Sequence, residues 1–108
     1  MKTQTQKQTY MPVPVPAEKT NYTYILRCCD GSFYCGWTND LVRRLDAHNS
    51  GTGGKYTRSR LPVELAWYHV SDTKEQAMSL EAKIKRLSRQ QKERLVSNVT
   101  SLEKLFDL

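Results

Sequence analysis

Five side chains in this sequence, of types that transfer protons or hold anions and cations, are candidates for catalytic chemistry. They are two phenols, a guanidinium, an imidazole and a carboxylate, contributed in chain order by Tyr24, Tyr34, Arg44, His48 and Glu81. A guanidinium offers a planar fork of donors to a phosphate, an imidazole or phenol can exchange a proton, and a carboxylate can hold a hard cation. They can act together only if the fold brings them to one place.

Arg44 and His48 lie one turn apart in residues 40–49, a segment that is predicted to be helical. At about 100° per residue they share a face beside the apolar residues of the helix, and they would point into the same space. Arg43 falls on a different side, so the paired arginines are not equivalent. Taken alone, this pattern is also typical of a solvated helix face.

Glu81 is a carboxylate among apolar residues that are predicted to form the buried face of a later helix, namely Ala77, Leu80, Ile84 and Leu87. Burying an unpaired carboxylate costs several kcal/mol, so Glu81 must meet a metal, a cation or solvent at the border of the core. Two interpretations stand at this point. One is a salt bridge with a nearby lysine or arginine, and the other is metal binding.

The two tyrosines lie on either side of a predicted β-hairpin. Residues 22–28 and 33–37 are dense in aromatic and β-branched residues, and Asp30-Gly31 between them favours a tight reversal. The hairpin can place the hydroxyls of Tyr24 and Tyr34 near the start of the helix of Arg44. Tyrosines in strands are also common as packing residues.

Capping and turn signals predict the remaining elements. Thr38, Asn39 or Asp40 can cap the helix of Arg44. A third strand is predicted at residues 62–70. A capping box at 72–75 predicts a helix that ends near residue 87, and a box at 88–91 predicts another helix from about 89 to 99. A final turn or short helix is predicted at 101–107. The sequence therefore predicts an α+β fold, a small three-stranded antiparallel sheet flanked by helices in the order ββαβαα.

The chain is predicted to hold one domain with two flanking segments. Residues 1–20 are rich in Thr, Gln and Pro and are predicted to be a disordered or extended tail. The domain is assigned to residues 21–100. Residues 101–108 are predicted to be a short C-terminal helix or a tail.

Composition narrows the function classes. Seventeen Lys plus Arg against eleven Asp plus Glu give a formal charge of +6, which suits an anionic partner but also serves solubility. The three cysteines, Cys28, Cys29 and Cys35, form neither an even secreted framework nor a C-x-x-C pair. No signal-peptide pattern and no long apolar run is found, so a cytoplasmic protein without membrane contact is expected.

The ordered motifs resemble those of the GIY-YIG nuclease superfamily. The similarity is carried by residues 22–26 (Tyr-Thr-Tyr-Ile-Leu), residues 34–36 (Tyr-Cys-Gly), then Arg44, His48 and Glu81, and it extends over about residues 22–92. The chain resembles above all the short single-domain bacterial members of UPF0213 type, and also the nuclease domain of structure-specific junction endonucleases.

A few positions depart from the family pattern. Tyr22 and Thr23 replace the small and aliphatic residues of the first motif, and Cys35 replaces the aliphatic residue of the second. Trp37 stands where some relatives carry a lysine. None of these departures removes a side chain with a proposed catalytic role.

The resemblance implies a metal-dependent endonuclease that hydrolyses DNA phosphodiester bonds in DNA repair or recombination. Arg44 would contact the scissile phosphate, Tyr24 would accept a proton from the attacking water, and Tyr34 would orient the water or the phosphate. His48 would either hold a phosphate or share the proton transfer. Glu81 would bind Mg²⁺ (or Mn²⁺).

The DNA surface is predicted around the loop that follows the helix of Arg44, where cations alternate with hydroxyls and one aromatic ring. Its expected DNA contacts, with two residues of the helix itself, are Arg43, Asn49, Lys55, Tyr56, Thr57, Arg58 and Arg60. Two other functions stay open: a catalytically weak nucleic-acid-binding module with the same fold, and an adaptor that uses the proline-rich tail. A protein partner for substrate selection and the oligomeric state are also open.

Overall fold

The computed structural model of the protein describes residues 13–106. In chain order its elements are β1 (Asn21–Arg27), β2 (Phe33–Thr38), α1 (Leu41–Asn49), α2 (Lys55–Arg58), β3 (Glu64–Ser71), α3 (Lys74–Lys85), α4 (Arg89–Val96) and α5 (Leu102–Phe106). The predicted α+β class and three-stranded antiparallel sheet are confirmed. The predicted order lacked α2, which lies in a stretch that was expected to be a loop.

The sheet has the strand order β2-β1-β3, so β1 is its central strand. β1 and β2 form the predicted hairpin, and its turn is closed by Asp30, whose Oδ1 accepts hydrogen bonds from the Ser32 N–H at 3.0 Å and from the Ser32 hydroxyl at 2.6 Å. Gly31 takes a φ of 85°, a conformation that glycine adopts without steric cost. Residues 22–26 of β1 are all buried because elements cover both faces of the sheet.

Two hydrophobic cores lie on opposite faces of the sheet, since alternate residues of a strand point to opposite sides. The first core is built from β1, α1 and the start of β3, and its buried members are Tyr22, Tyr24, Leu26, Cys28, Leu41, Val63 and Leu65. The second core is built under α3, α4 and α5, and its buried members are Ile25, Cys35, Ala66, Ile84, Leu95, Val96 and Leu102. The side chain of Tyr24 therefore faces α1, while α3 covers the other face.

Side-chain caps begin the three longer helices. Asp40 is the residue that caps α1, because its Oδ1 accepts from the Arg43 N–H at 3.2 Å. The capping box at the start of α4 is confirmed, with Ser88 and Gln91 as its partners. The box of α3 is one residue later than predicted, because Thr73 and Gln76 bond reciprocally.

Helices α3 and α4 end earlier than predicted. α3 ends at Lys85 rather than near residue 87, and α4 ends at Val96 rather than near residue 99. Asn98 has a φ of 63°, a left-handed conformation that stops a helix.

The described part of the N-terminal segment lies against the domain. Val13 and Val15 pack on the first core, and the Val13 N–H donates to the Leu65 carbonyl at 3.0 Å. Residues 1–12 of the predicted tail lie outside the described residues, and the boundary at residue 20 stays a prediction. Between residues 13 and 106, no helix is both long and apolar enough to cross a membrane.

Candidate active site

Four of the five predicted catalytic side chains meet where α1 covers the first face of the sheet. Tyr24 stands opposite Gly36 and Tyr34 stands opposite Leu26, so the two tyrosines are diagonal neighbours on one face. The Tyr24 Oη lies 3.1 Å from His48 Nε2, and the Arg44 Nε–H donates to the same oxygen at 3.4 Å. The rings of Tyr34 and His48 have centroids 5.1 Å apart.

Two glycines make room for this cluster. A Cβ on Gly36 would lie 2.6 Å from the Tyr24 Oη, and a Cβ on Gly53 would lie 2.5 Å from His48 Nδ1 and 2.6 Å from the His48 Cα. Any other residue at these positions would displace the phenol or the imidazole. Gly36 is the glycine of the second motif, whereas nothing in the sequence pattern had singled out Gly53.

His48 is 0% exposed and uses both ring nitrogens within the fold. Nε2 faces the Tyr24 Oη, and Nδ1 lies 2.8 Å from the Thr57 Oγ1. Burial, and then the positive charge of Arg44, lower the pKa of His48 to about 4. At neutral pH the ring is therefore uncharged, with one nitrogen that donates a hydrogen bond and one that accepts.

Tyr24 is also enclosed, at 1% exposed. Burial raises its pKa to about 12, even though the hydrogen bond from Arg44 acts in the opposite direction. The phenol is therefore protonated at neutral pH. The charge of Arg44 reduces the shift without reversing it.

Arg44 is held at both ends of its guanidinium. Besides the bond to Tyr24, its Nη2–H donates to the Gly53 carbonyl at 3.0 Å. The hydrogen bond with Tyr24 raises the pKa of Arg44 further, so its charge is permanent. The side chain is half-buried and lines an open cleft of about 740 Å³ whose other charged residues are Lys19, Asp40 and Arg43.

Glu81 occupies the border position that the sequence predicted. Its side chain is 20% exposed and pairs with the Lys85 Nζ at 3.2 Å, one helical turn away. The bond with Glu81 raises the pKa of Lys85, and the nearby Tyr34 and Cys35 side chains act in the same direction. The salt bridge is therefore present, and Tyr34 and Cys35 are close enough to it to act on the charge of Lys85.

The protein donors near Glu81 fit only one class of metal site. Across residues 13–106, no group of three or more His, Cys, Asp or Glu side chains is placed to hold an ion. A single carboxylate suits Mg²⁺ or Mn²⁺, which keep several waters and take further oxygens from a substrate phosphate. Glu81 fits such a site if its oxygen is shared with, or released by, Lys85.

The loop that was predicted to bind DNA contains the short helix α2. Lys55 and Arg58 are exposed on it. Tyr56 stacks on Tyr34, with centroids 6.1 Å apart, and the Arg60 guanidinium lies 3.9 Å over the Tyr56 ring. Both neighbours restrict the space for a base on this ring.

Three of the predicted DNA contacts have partners inside the protein. The structure corrects the assignment of Thr57, because its side chain is 0% exposed and bonds with His48. The Asn49 amide is engaged at both atoms by the Val63 backbone, at 2.8 and 3.1 Å. Arg60 donates to the Asp30 carboxylate at 3.1 Å and to the Tyr56 carbonyl at 2.8 Å.

Besides Gly53, two features of the site had not been found from the sequence. Lys19 lines the cleft beside Arg44, although it belongs to the segment that was predicted to be a tail. Thr57 belongs to the histidine environment. Its four-residue helix is too short to show a periodic pattern, so no local signal separated it from its exposed neighbours.

The chain is similar to known proteins over most of its length. The GIY-YIG catalytic domain matches residues 20–94. The UPF0213 protein CPE1444 of Clostridium perfringens is 47% identical over 87 residues, which cover 81% of this chain and 94% of that protein. A UPF0213 protein of Streptococcus pneumoniae serotype 4 is 55% identical over 76 residues, which cover 70% of this chain and 77% of that protein. The solution NMR structure of the protein EF2693 from E. faecalis has a TM-score of 0.52 and 42% identity, and covers 82% of this chain and 91% of that one.

Proposed function

Since the chain belongs to the GIY-YIG nuclease family, we propose that it is a divalent-metal-dependent endonuclease that hydrolyses DNA phosphodiester bonds. The observation that carries the proposal is that Arg44 and His48 both form hydrogen bonds with the phenol oxygen of Tyr24. Such an arrangement places a permanent cation beside a group that can transfer protons, and hydrolysis of a phosphate diester needs both.

Arg44 is proposed to contact the scissile phosphate. A guanidinium has five N–H donors, and two bonds fix this one to Tyr24 and Gly53. Tyr34 also bonds with the guanidinium, and the side chain lines the cleft, from which a phosphate is proposed to approach it. Charge that grows on the phosphate oxygens as the nucleophile adds would be stabilised by donors that are already oriented.

Tyr24 and His48 are proposed to move the proton of the attacking water. A phenol whose pKa is about 12 keeps its proton at neutral pH, so it can act as a base only if another group accepts that proton. The Nε2 atom of the neutral His48 lies 3.1 Å away and can take it while Tyr24 receives the proton of the water. Because Tyr24 is 1% exposed, the water is proposed to reach it from the cleft that Arg44 lines. Tyr34, which is less buried, would orient the water or the phosphate.

Glu81 is proposed to hold Mg²⁺ or Mn²⁺ together with waters and phosphate oxygens. When bound there, the ion would neutralise charge on the phosphate and lower the pKa of a coordinated water. The chain's own contribution is the carboxylate at the border of the core. Lys85 competes for the same oxygen, so metal binding has to weaken that ion pair.

The DNA is proposed to lie along two cationic surfaces that flank the cluster. On one side the cleft beside Arg44 presents Lys19 and Arg43. On the other side α2 exposes Lys55 and Arg58. Contacts of this kind bind backbone phosphates without reading sequence. We therefore propose a role in DNA repair or recombination in the cytoplasm, with the DNA structure, or a partner protein, selecting the substrate.

Two observations favour the alternative of a nucleic-acid-binding module with weak turnover. Glu81 already has a cation partner in Lys85, and an enclosed Tyr24 restricts access of water. The two functions differ in one measurable property, since the binding module would hold DNA without cutting it.

The test is cleavage of end-labelled duplex, single-stranded, flap and junction DNAs with Mg²⁺, Mn²⁺ or EDTA. We expect cuts that require the metal and that are lost in Arg44→Ala and Glu81→Ala. Arg86→Ala is the matched control, because it removes an exposed arginine at the end of α3. If every folded form binds DNA and none cuts it, the nuclease proposal fails and the binding module replaces it.

A further inference from the structure

We propose that Thr57 is a positioning residue that holds His48 as the tautomer protonated on Nδ1, so that Nε2 is free to accept the Tyr24 hydroxyl proton. The role of Thr57 in turnover rests on the proposed function. The tautomer itself follows from hydrogen-bond geometry and can be measured without any nuclease activity.

One hydrogen bond to the Tyr24 oxygen has a fixed direction. A guanidinium always carries hydrogen on Nε, so Arg44 must donate and the Tyr24 Oη must accept along their 3.4 Å contact. The phenol still has its own proton, and the structure encloses that side chain. Among the described partners of this oxygen, the remaining one is His48 Nε2 at 3.1 Å. The phenol therefore donates to Nε2, which must be unprotonated.

The position of the second proton of the imidazole then follows. A neutral ring with a bare Nε2 carries hydrogen on Nδ1. Nδ1 lies 2.8 Å from the Thr57 Oγ1, which can accept that hydrogen. The Thr57 hydroxyl in turn reaches the Gly54 carbonyl at 3.5 Å. Every polar hydrogen along this path, from Arg44 to Gly54, thus has an acceptor.

The opposite tautomer leaves a buried donor without an acceptor. If Nε2 carried the hydrogen, both His48 and Arg44 would donate to the Tyr24 oxygen. The phenol proton would then have no acceptor among the described contacts of that atom. An enclosed, unsatisfied hydroxyl disfavours a state by roughly ten-fold or more.

The local structure explains why a threonine stands at this place. Thr57 and Gly53 both lie close to the ring, since a Cβ on Gly53 would lie 2.5 Å from His48 Nδ1 and the Thr57 side chain is 0% exposed. The neighbouring Lys55 and Arg58 of the same short helix are exposed. α2 therefore presents cations outward and a single hydroxyl inward, which joins the surface that we propose for DNA to the histidine of the site.

The first measurement is the ¹⁵N NMR spectrum of the histidine side chains in the full chain at neutral pH. We expect a protonated Nδ1 and a bare Nε2 for His48, with the same pattern in Thr57→Ser, which keeps the hydroxyl. Thr57→Val keeps the shape but lacks the acceptor, and its His48 signals should move towards the other tautomer. The exposed His69 is the second histidine of the chain, and His69→Gln assigns the signals.

A protonated Nε2 in the wild-type chain would overturn the proposal, and so would an unchanged Nδ1–H tautomer in folded Thr57→Val. If Thr57→Val does not fold, the wild-type and Thr57→Ser spectra still decide the tautomer.

The second measurement concerns turnover. We expect kcat for DNA cleavage to fall by roughly ten-fold in Thr57→Val and to recover in Thr57→Ser. KM should stay constant, because the buried side chain cannot touch DNA. A rise in KM with an unchanged kcat in Thr57→Val would contradict a positioning role. Absence of cleavage in every form would defeat the proposed function but would leave the tautomer result standing.

Discussion

The two faces of the sheet hold their polar side chains in opposite ways. On the α1 face, Tyr24 and His48 are enclosed, and each bonds with two partners. On the α3 face, Glu81 stands at the border of the core and its ion pair is with the exposed Lys85. The first arrangement allows one geometry, whereas the second can change partner at little cost. A proton path needs the former, and a site that admits a metal needs the latter.

The largest effect is expected from filling the space beside the imidazole on the α1 face. Gly53→Ala would bring a Cβ within 2.6 Å of the His48 Cα, a backbone atom that a change of side-chain rotamer cannot move. We expect a loss of about 3 kcal/mol or more in the free energy of unfolding, measured by chemical denaturation. Ser79→Ala on the exposed side of α3 is the control and should change stability by no more than about 0.5 kcal/mol. Equal stability of the two variants would show that the α1 face is not tightly packed.

The pH dependence of stability should come next in size. The folded-state pKa of His48 is lowered to about 4 from an ordinary value of 6.5, so the unfolded chain binds the proton first as pH falls. The stabilisation is therefore present above pH 6.5 and is lost progressively down to about pH 4, by up to about 3 kcal/mol. The difference between wild-type and His48→Gln denaturation curves isolates this contribution, while His69→Gln should keep the wild-type slope. A parallel pair of wild-type and His48→Gln curves would contradict it.

A pair of conservative substitutions compares the two faces directly. Tyr24→Phe removes only a hydroxyl but leaves His48 Nε2 without its donor, and should cost about 1–3 kcal/mol. Glu81→Gln breaks a partly exposed ion pair and should cost less than about 1 kcal/mol. Thermal unfolding of both variants gives the ranking. The reverse order would mean that the Glu81 pair, and not the phenol, is the more restricted group.

The smallest effect is expected at the Glu81 ion pair. Lys85→Ala should raise the affinity for Mn²⁺ about two-fold, because an exposed pair at this helical spacing contributes only about 0.3–0.5 kcal/mol. Titration calorimetry with Mn²⁺ measures the change, and Lys83→Ala is the control from the same helix. Tighter Mn²⁺ binding in both variants would indicate a general charge effect and not competition for one carboxylate.

Much of the site was predictable because it depends on regular periods. The helical repeat placed Arg44 and His48 on one face of α1. The strand repeat, with the Asp30-Gly31 turn, placed Tyr24 and Tyr34 on one face of the sheet. The border position of Glu81 followed from its apolar neighbours. In each case a local pattern determines the direction of the side chain.

The remainder of the site depends on tertiary contacts that no local period records. The burial of Thr57 arises from the path of the loop across His48, and its exposed neighbours made the whole segment resemble a solvated surface. The packing of Val13 and Val15 is equally non-local, since alternating prolines suggested only an extended chain. Asn49 was predicted to contact DNA, and its backbone partner, Val63, is 14 residues further along the chain.

The bond between the Val13 N–H and the Leu65 carbonyl also bears on how the protein behaves at high concentration. β3 is an outer strand of the sheet, and such a strand can pair with a strand of another molecule and start aggregation. The segment that covers this part of the edge contains Pro14 and Pro16, which have no N–H to offer. A short proline-rich stretch can thus close the edge of a sheet without creating a new one.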